Sequence, residues 1–338
     1  MRPAEQDPAH VLSPFGDAGA LDVRETTFRV ASHHRGQSLF LRHLPPTSAI
    51  DQAQAPIVLY VHGATFPSAL SVAHRFDGRS WRDELCAAGF HVWGLDFLGF
   101  GGADRYTAMG AAADADRSLG RAEDASRQIE TAVRFILARQ RRSRLSLIAH
   151  SWGTIAAGRF AGHCPDLVER LVWFGPIARR EIALASAMPQ LPAWRLITLQ
   201  DQWNRFVEDV PAGAAAVLQR AAFETWGRNY LASDPQSGER APAAVKVPSG
   251  PQQDIIAAWH GELAYDPKAI TAPIAILRGE WDSLTRDADA KWLFDALTAT
   301  PEKLDIKLGC GTHLMHLEDG RHRLHSAARD FLSGQTAA

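Results

Sequence analysis

The sequence predicts an α/β fold, a mostly parallel central sheet flanked by helices, with a helical insertion after the sixth strand. Three observations predict it. Short apolar runs such as "IVLYVHG" at 57–63 and "LSLIAHS" at 145–151 are continuous rather than alternating, as strands buried on both faces are. Amphipathic stretches separate these runs, as parallel strands joined by crossover helices require. Between residues 178 and 268 the alternation stops, and Trp194, Trp203, Trp226 and Trp259 sit among helical-looking segments.

Residues 1–20 contain prolines and no apolar periodicity and are expected to form a flexible N-terminal arm. Strands are expected at 25–31 and 38–43, with "HHRG" turning between them. After the strand at 57–63, "SWRDELCAAGF" (80–90) reads as a helix stopped by glycine and "HVWGLDF" (91–97) as a strand. A long amphipathic helix follows at 118–140, then the strand at 145–151, a helix at 152–164 and a strand at 167–176. In the insertion, "WRLITLQDQWNRFVEDV" and "AAAVLQRAAFETWGRNYL" look helical and residues 232–252 look like a polar loop, with no convincing buried strand. The pattern resumes with a strand at 273–282, a helix at 288–297, a strand at 303–313 and a closing helix near 320–332. The core is thus expected at 21–177 and 269–338, and the insertion, read as a lid, at 178–268.

Composition narrows the partners. The 338 residues are 46% apolar and 22% charged with a net charge of −2, so no global basic field attracts nucleic acid or an acidic membrane. The basic run "RQRRSR" at 139–144 falls where a helix should end, where cations complement the helix dipole. Three separated cysteines (Cys86, Cys164, Cys310) form no metal or redox motif and fit a reducing compartment. The N-terminal stretch lacks the apolar segment of a signal peptide, and no run reaches the ~18 residues of a membrane span. A cytoplasmic location is therefore expected. Abundant arginine and alanine hint at a bacterial source.

One serine stands out. Ser151 ends a buried strand and opens a helix, with Ala149 two residues before it and Gly153 two after. A nucleophile on a strained strand-to-helix turn needs small residues at those flanks. The relaxed pattern recurs at Ser71 in "ALSVA", which follows no buried strand. A serine hydroxyl also needs a base, itself oriented by a third group, and later strand ends supply Asp282 and His313. Glu280 and His316 are their nearest substitutes. Backbone N–H groups for a developing oxyanion are expected from Trp152 and from the loop "VHGATFP", Ala64 first and Thr65 second. His62 is read as structural.

With "HGATF", "GLDFLGFGGADR", "AHSWG", "LRGEWD" and "GTHLMHLE" each in place, the chain from residue 56 onward resembles a lid-bearing α/β-hydrolase of the serine type. The resemblance implies Ser151 as nucleophile, His313 as base, Asp282 as acid, and Ala64 and Trp152 as the oxyanion hole. Ala103 stands where the family usually has serine, and Asp96 and Asp104 are taken as loop-formers. The elbow serine departs from the aspartate of haloalkane dehalogenases and soluble epoxide hydrolases. "HGATF" likewise departs from the loops of proline iminopeptidases, carbon–carbon bond hydrolases and hormone-sensitive-lipase-like esterases.

The expected activity is cofactor-free hydrolysis of a small or medium apolar ester, lactone or thioester through an acyl-enzyme. No metal is expected. Activity should rise toward neutral or mildly alkaline pH, because the base must be unprotonated. The alternatives on the same fold are a cofactor-independent dioxygenase, an acyltransferase, a peptidase-like amide hydrolase and a binding protein without turnover. Trp194, Trp203 and Trp226 are the candidate pocket residues. Arg195, Arg205 and Arg228 are read as solvated, with a substrate carboxylate as the other possibility.

Overall fold

The computed structural model describes residues 22–47, 53–182 and 188–335, so the expected N-terminal arm lies outside the described residues. Eight strands make one sheet: β1 (Thr26–Ala31), β2 (Ser38–Leu44), β3 (Ile57–Val61), β4 (His91–Asp96), β5 (Leu145–His150), β6 (Val168–Phe174), and two strands after the insertion. Within the insertion, β7 (Trp194–Thr198) and β8 (Ala244–Pro248) pair with each other alone. The main sheet ends with β9 (Ile274–Gly279) and β10 (Lys303–Leu308), in the order β1-β2-β4-β3-β5-β6-β9-β10. Only the pairings of β2 are antiparallel; the others in this sheet run parallel.

Every residue of β3, β4, β5 and β9 is buried, because helices cover both faces. On one face lie α1 (Trp81–Ala87) and the last helix, with Trp81, Leu85, Leu324 and Phe331 against Val58, Tyr60 and Ile148. On the other, α2 (Ala122–Gln140) and α3 (Gly153–His163) set Ile129, Val133, Ile155 and Phe160 against Leu59, Val61 and Leu147. Successive strand residues thus feed opposite cores, which is why the strands read as unbroken apolar runs. The edge strand β10 is half exposed and carries Lys303 and Lys307, which discourage pairing with another chain. The basic run lies at the C-terminus of α2, where Arg142 donates to the Gln54 and Ala55 carbonyls.

The insertion differs from the expected all-helical one. It holds α4 (Leu199–Val207), α5 (Arg220–Ala232) and α6 (Gly250–Trp259), together with the β7–β8 ribbon. The chain leaves β7 directly into α4, where Thr198 and Asp201 form a capping box. Strand β8, read as polar loop, buries Ala244, Val245, Val247 and Pro248. After the insertion come α7 (Asp287–Ala296) and α8 (Arg321–Leu332). Among the described residues, no helix is long and apolar enough to cross a membrane.

Candidate active site

Three loops at the C-terminal ends of β5, β9 and β10 converge. Ser151 follows β5 with φ at +55°, a left-handed conformation that an L-residue adopts only when its surroundings hold it there. Its N–H donates to the Phe174 carbonyl at 3.0 Å. Gly153 is required by close approach: a Cβ there would lie 2.5 Å from the His62 carbonyl oxygen. The turn therefore lifts the Ser151 side chain off the sheet while α3 packs tightly under it.

Ser151 Oγ donates to His313 Nε2 at 2.8 Å, and His313 Nδ1 donates to both Asp282 oxygens at 3.0 Å. All three side chains are buried. Asp282 Oδ1 is oriented by the N–H groups of Leu284 and Thr285, each at 2.9 Å. The sequence-predicted substitutes stand apart from this line. Glu280 accepts from the Cys310 N–H, and His316 packs its ring against Phe66, His150 and Phe174. Ser71 is a buried hydroxyl bonded to the Pro67 and Ser68 carbonyls.

A cavity of about 450 Å³ opens above Ser151, with Ala64 and Thr65 on its wall. Neither the Ala64 nor the Trp152 backbone N–H donates to a protein acceptor among the described residues. His62 is structural: Nδ1 donates to the Gly63 carbonyl at 2.7 Å and Nε2 accepts from the Phe97 N–H at 3.3 Å. Asp96 accepts from the Ser68 and Gly102 N–H groups, and Asp104 accepts from the Ser38 N–H and from Arg29, so both tie loops.

The three candidate tryptophans do not line the cavity. Trp226 is buried, its indole donating to the Leu70 carbonyl and its ring stacked on Tyr230. Trp203 packs on Phe223 under Arg220, and Trp194 bonds the Ala111 carbonyl beneath Lys246. The fourth, Trp259, lines the cavity instead. Arg195 and Arg205 also line it, contrary to the solvated reading, while Arg228 is bonded to Thr225 on an exposed helix face.

Several supporting residues carried no sequence signal of comparable strength. His150 Nε2 donates to the His313 backbone carbonyl at 3.0 Å. Thr154 Oγ1 donates to the Ser151 carbonyl at 2.6 Å and accepts from the Ile177 N–H. Asp254, on α6, accepts from the Trp152 indole at 2.9 Å and ties the insertion to the turn beside Ser151. Burial pushes the Glu318 carboxyl up to about 7, opposed by its hydrogen bonds from Thr312.

Gly175 had a readable signal, a glycine ending β6. Its φ is +54°, and a Cβ would lie 2.9 Å from His313 Nδ1 and 3.1 Å from Asp282 Oδ2. Gly175→Ala is expected to destabilise the fold by about 1–3 kcal/mol, read as a lower urea midpoint. It should also lengthen the His313–Asp282 contact. An unchanged midpoint would show that the loop relaxes freely.

Two groups of side chains could hold a metal, His33–His34–Asp124 and Glu84–His322–His325, with ligand atoms within 4.8 Å of one another. Neither includes a residue of the Ser151 cavity.

Comparison with known proteins agrees with this geometry. Residues 58–327 match the model of the alpha/beta hydrolase family. A carboxylesterase structure from Nitrososphaera gargenis has a TM-score of 0.61 at 12% identity, covering 91% of this chain and 98% of that one. A monoacylglycerol lipase from Paleococcus ferrophilus has 0.55 at 18%, covering 88% and 99%. The thioesterase domain of the curacin biosynthetic pathway has 0.56 at 15%, covering 91% and 99%. No protein of curated function matches the chain in sequence. With its strand order, its serine at the strand-to-helix turn and a family match over most of its length, the chain belongs to the alpha/beta hydrolase family.

Proposed function

We propose that this chain is a serine hydrolase that cleaves a small or medium carboxylic ester, lactone or thioester through an acyl-enzyme on Ser151. The observation that carries this reading is the unbroken hydrogen-bond line from Ser151 Oγ through the His313 ring to Asp282. As Oγ attacks the carbonyl carbon, its proton passes to His313 Nε2. Asp282 holds the ring in the tautomer that leaves Nε2 free to accept, and it stabilises the imidazolium formed. The tetrahedral oxyanion is received by the Ala64 and Trp152 N–H groups. On collapse the leaving group takes the proton from His313. Water, deprotonated by the same nitrogen, then attacks the acyl carbon and frees Ser151.

The insertion is read as a lid, because Ile197, Gln252, Ile255 and Trp259 from β7 and α6 wall the cavity opposite the Ser151 turn. Closing it would exclude water from the reacting carbonyl. The polar lining departs from the apolar pocket expected. The carboxylesterase, lipase and thioesterase neighbours are in keeping with acyl chemistry.

A fluorophosphonate probe tests the reading. Intact mass should show a single adduct, mapped to the peptide containing "IAHSWG", in the wild type and none in Ser151→Ala. Labelling elsewhere, or none on folded wild type, would sink it.

A further inference from the structure

The cavity above Ser151 contains two guanidinium groups that no carboxylate answers. Arg195 on β7 and Arg205 on α4 line the same space as Ser151 and Ala64. Neither forms an ion pair within 4 Å among the described residues, whereas Arg180, Arg240 and Arg278 are each paired with an aspartate. The Arg195 Nε is buried with no hydrogen-bond partner. Arg205 Nη1 donates to Thr65 Oγ1 at 2.6 Å and to Gln202 at 3.4 Å, and these are its side-chain bonds among the described residues.

Two acids share the cavity wall without neutralising the pair. The Asp201 Oδ2 is occupied by the Thr198 N–H and hydroxyl at 2.8 and 2.7 Å. Glu208 is exposed at the end of α4, and partial burial and then its neighbour Asp209 push its carboxyl up. Burial lowers the proton affinity of both arginines, and Arg205 lowers that of Arg195 further, so the two cations repel each other. A guanidinium keeps its charge in proteins, so desolvation without a partner is a standing cost that a bound anion removes.

We propose that Arg195 and Arg205 form an anion subsite for a carboxylate carried by the substrate, making the preferred ester an acidic one, such as a half-ester of a short dicarboxylic acid. This rests on the reading of Ser151 as nucleophile. The hydrogen bond to Thr65 places Arg205 one residue along the chain from Ala64, roughly 4 Å in backbone terms. The acid and the cleaved carbonyl are therefore separated by a short spacer.

The test compares mono(p-nitrophenyl) glutarate with its methyl ester, which has the same leaving group and no charge. Wild type should favour the acid by at least about tenfold in kcat/KM, the worth of a charge-assisted pair. Arg195→Met and Arg205→Met should each shrink that ratio, chiefly through KM. A wild type that treats both esters alike or prefers the neutral one overturns the proposal. Equal losses on both esters through kcat in Arg205→Met, reproduced by Thr65→Val, would assign Arg205 to holding the loop and overturn its part.

A second arm needs no turnover. Calorimetry on Ser151→Ala should detect glutarate binding that is lost on adding Arg195→Met or Arg195→Leu. Absence of binding to folded Ser151→Ala overturns the subsite. Inorganic phosphate binding more tightly than glutarate overturns the choice of carboxylate. Glutarate binding without fluorophosphonate labelling would instead remove the hydrolase reading and leave the subsite standing.

Discussion

Ser151→Ala is expected to lower ester turnover by about 10³-fold or more while leaving the fold intact. The side chain lost is one hydroxyl, and alanine pays much the same backbone strain at φ +55° as serine does. The urea midpoint should therefore stay near that of the wild type. His313→Ala should cost a comparable factor, because without it the Oγ proton at the 2.8 Å contact has no acceptor. Asp282→Asn should lose a similar amount, since an amide N–H facing Nδ1 would turn the imidazole into the wrong tautomer. The double variant Ser151→Ala/His313→Ala should be no worse than either single variant, as residues acting in one step are not additive. Activity surviving Ser151→Ala but lost in His313→Ala would replace acyl-enzyme chemistry with base catalysis, the outcome a cofactor-independent dioxygenase would give.

The residues needed for that experiment were readable because each sits where two signals overlap. Ser151, Asp282 and His313 each follow an apolar run that can only be a buried strand, and their order along the chain matches the order of those strands. Strands β7 and β8 were not readable. "WRLIT" runs into "LQDQW" without a turn, the break being the Thr198 capping box, which a helical reading absorbs. "AVKVP" hides in a stretch rich in proline and serine, although most of it is buried. Missing the ribbon hid the direction of Arg195, since a residue on a helix face and one on a strand face point differently.

The tryptophans failed for a related reason. Composition reports that large rings are buried but not against what. Trp226 is spent on the insertion's own core with Phe206, Phe223 and Tyr230, and Trp259 alone of the four reaches the cavity. Arginine's usual place at the surface made solvation the natural reading for Arg195 and Arg205. Only the folded chain shows that no acid meets them. Gly175 and His150 act through positions in space, next to a histidine far away in sequence, and local pattern carries little of that.

Acid should unfold this protein through histidines that are not part of the proposed chemistry. His62, His150, His316 and His325 are all buried, and burial lowers the proton affinity of each. In the unfolded chain they titrate near pH 6.5. The unfolded state therefore binds more protons once pH falls below 6.5, and stability present above that value drains away toward the lower folded values. Between pH 7 and 5.5 each group costs about 1 kcal/mol. Glu318 acts in the opposite sense, because its folded carboxyl, raised to about 7, takes up a proton before the unfolded one does. It cancels roughly one histidine and leaves a net loss of about 3 kcal/mol, a large share of an ordinary domain's stability. The urea midpoint should fall clearly between pH 7 and pH 5.5. His316 offers the cleanest control: neither ring nitrogen has a hydrogen-bond partner among the described residues, so His316→Leu strands no polar group. That variant should flatten the pH slope by roughly a quarter of the histidine contribution. A midpoint that holds steady or rises on acidification would mean these rings are protonated in the folded state. The imidazolium forming on His313 would then face positive charge from His150, whose ring centroid is 5.0 Å away. Acid stability and a neutral surrounding for the proposed base thus rest on the same buried rings.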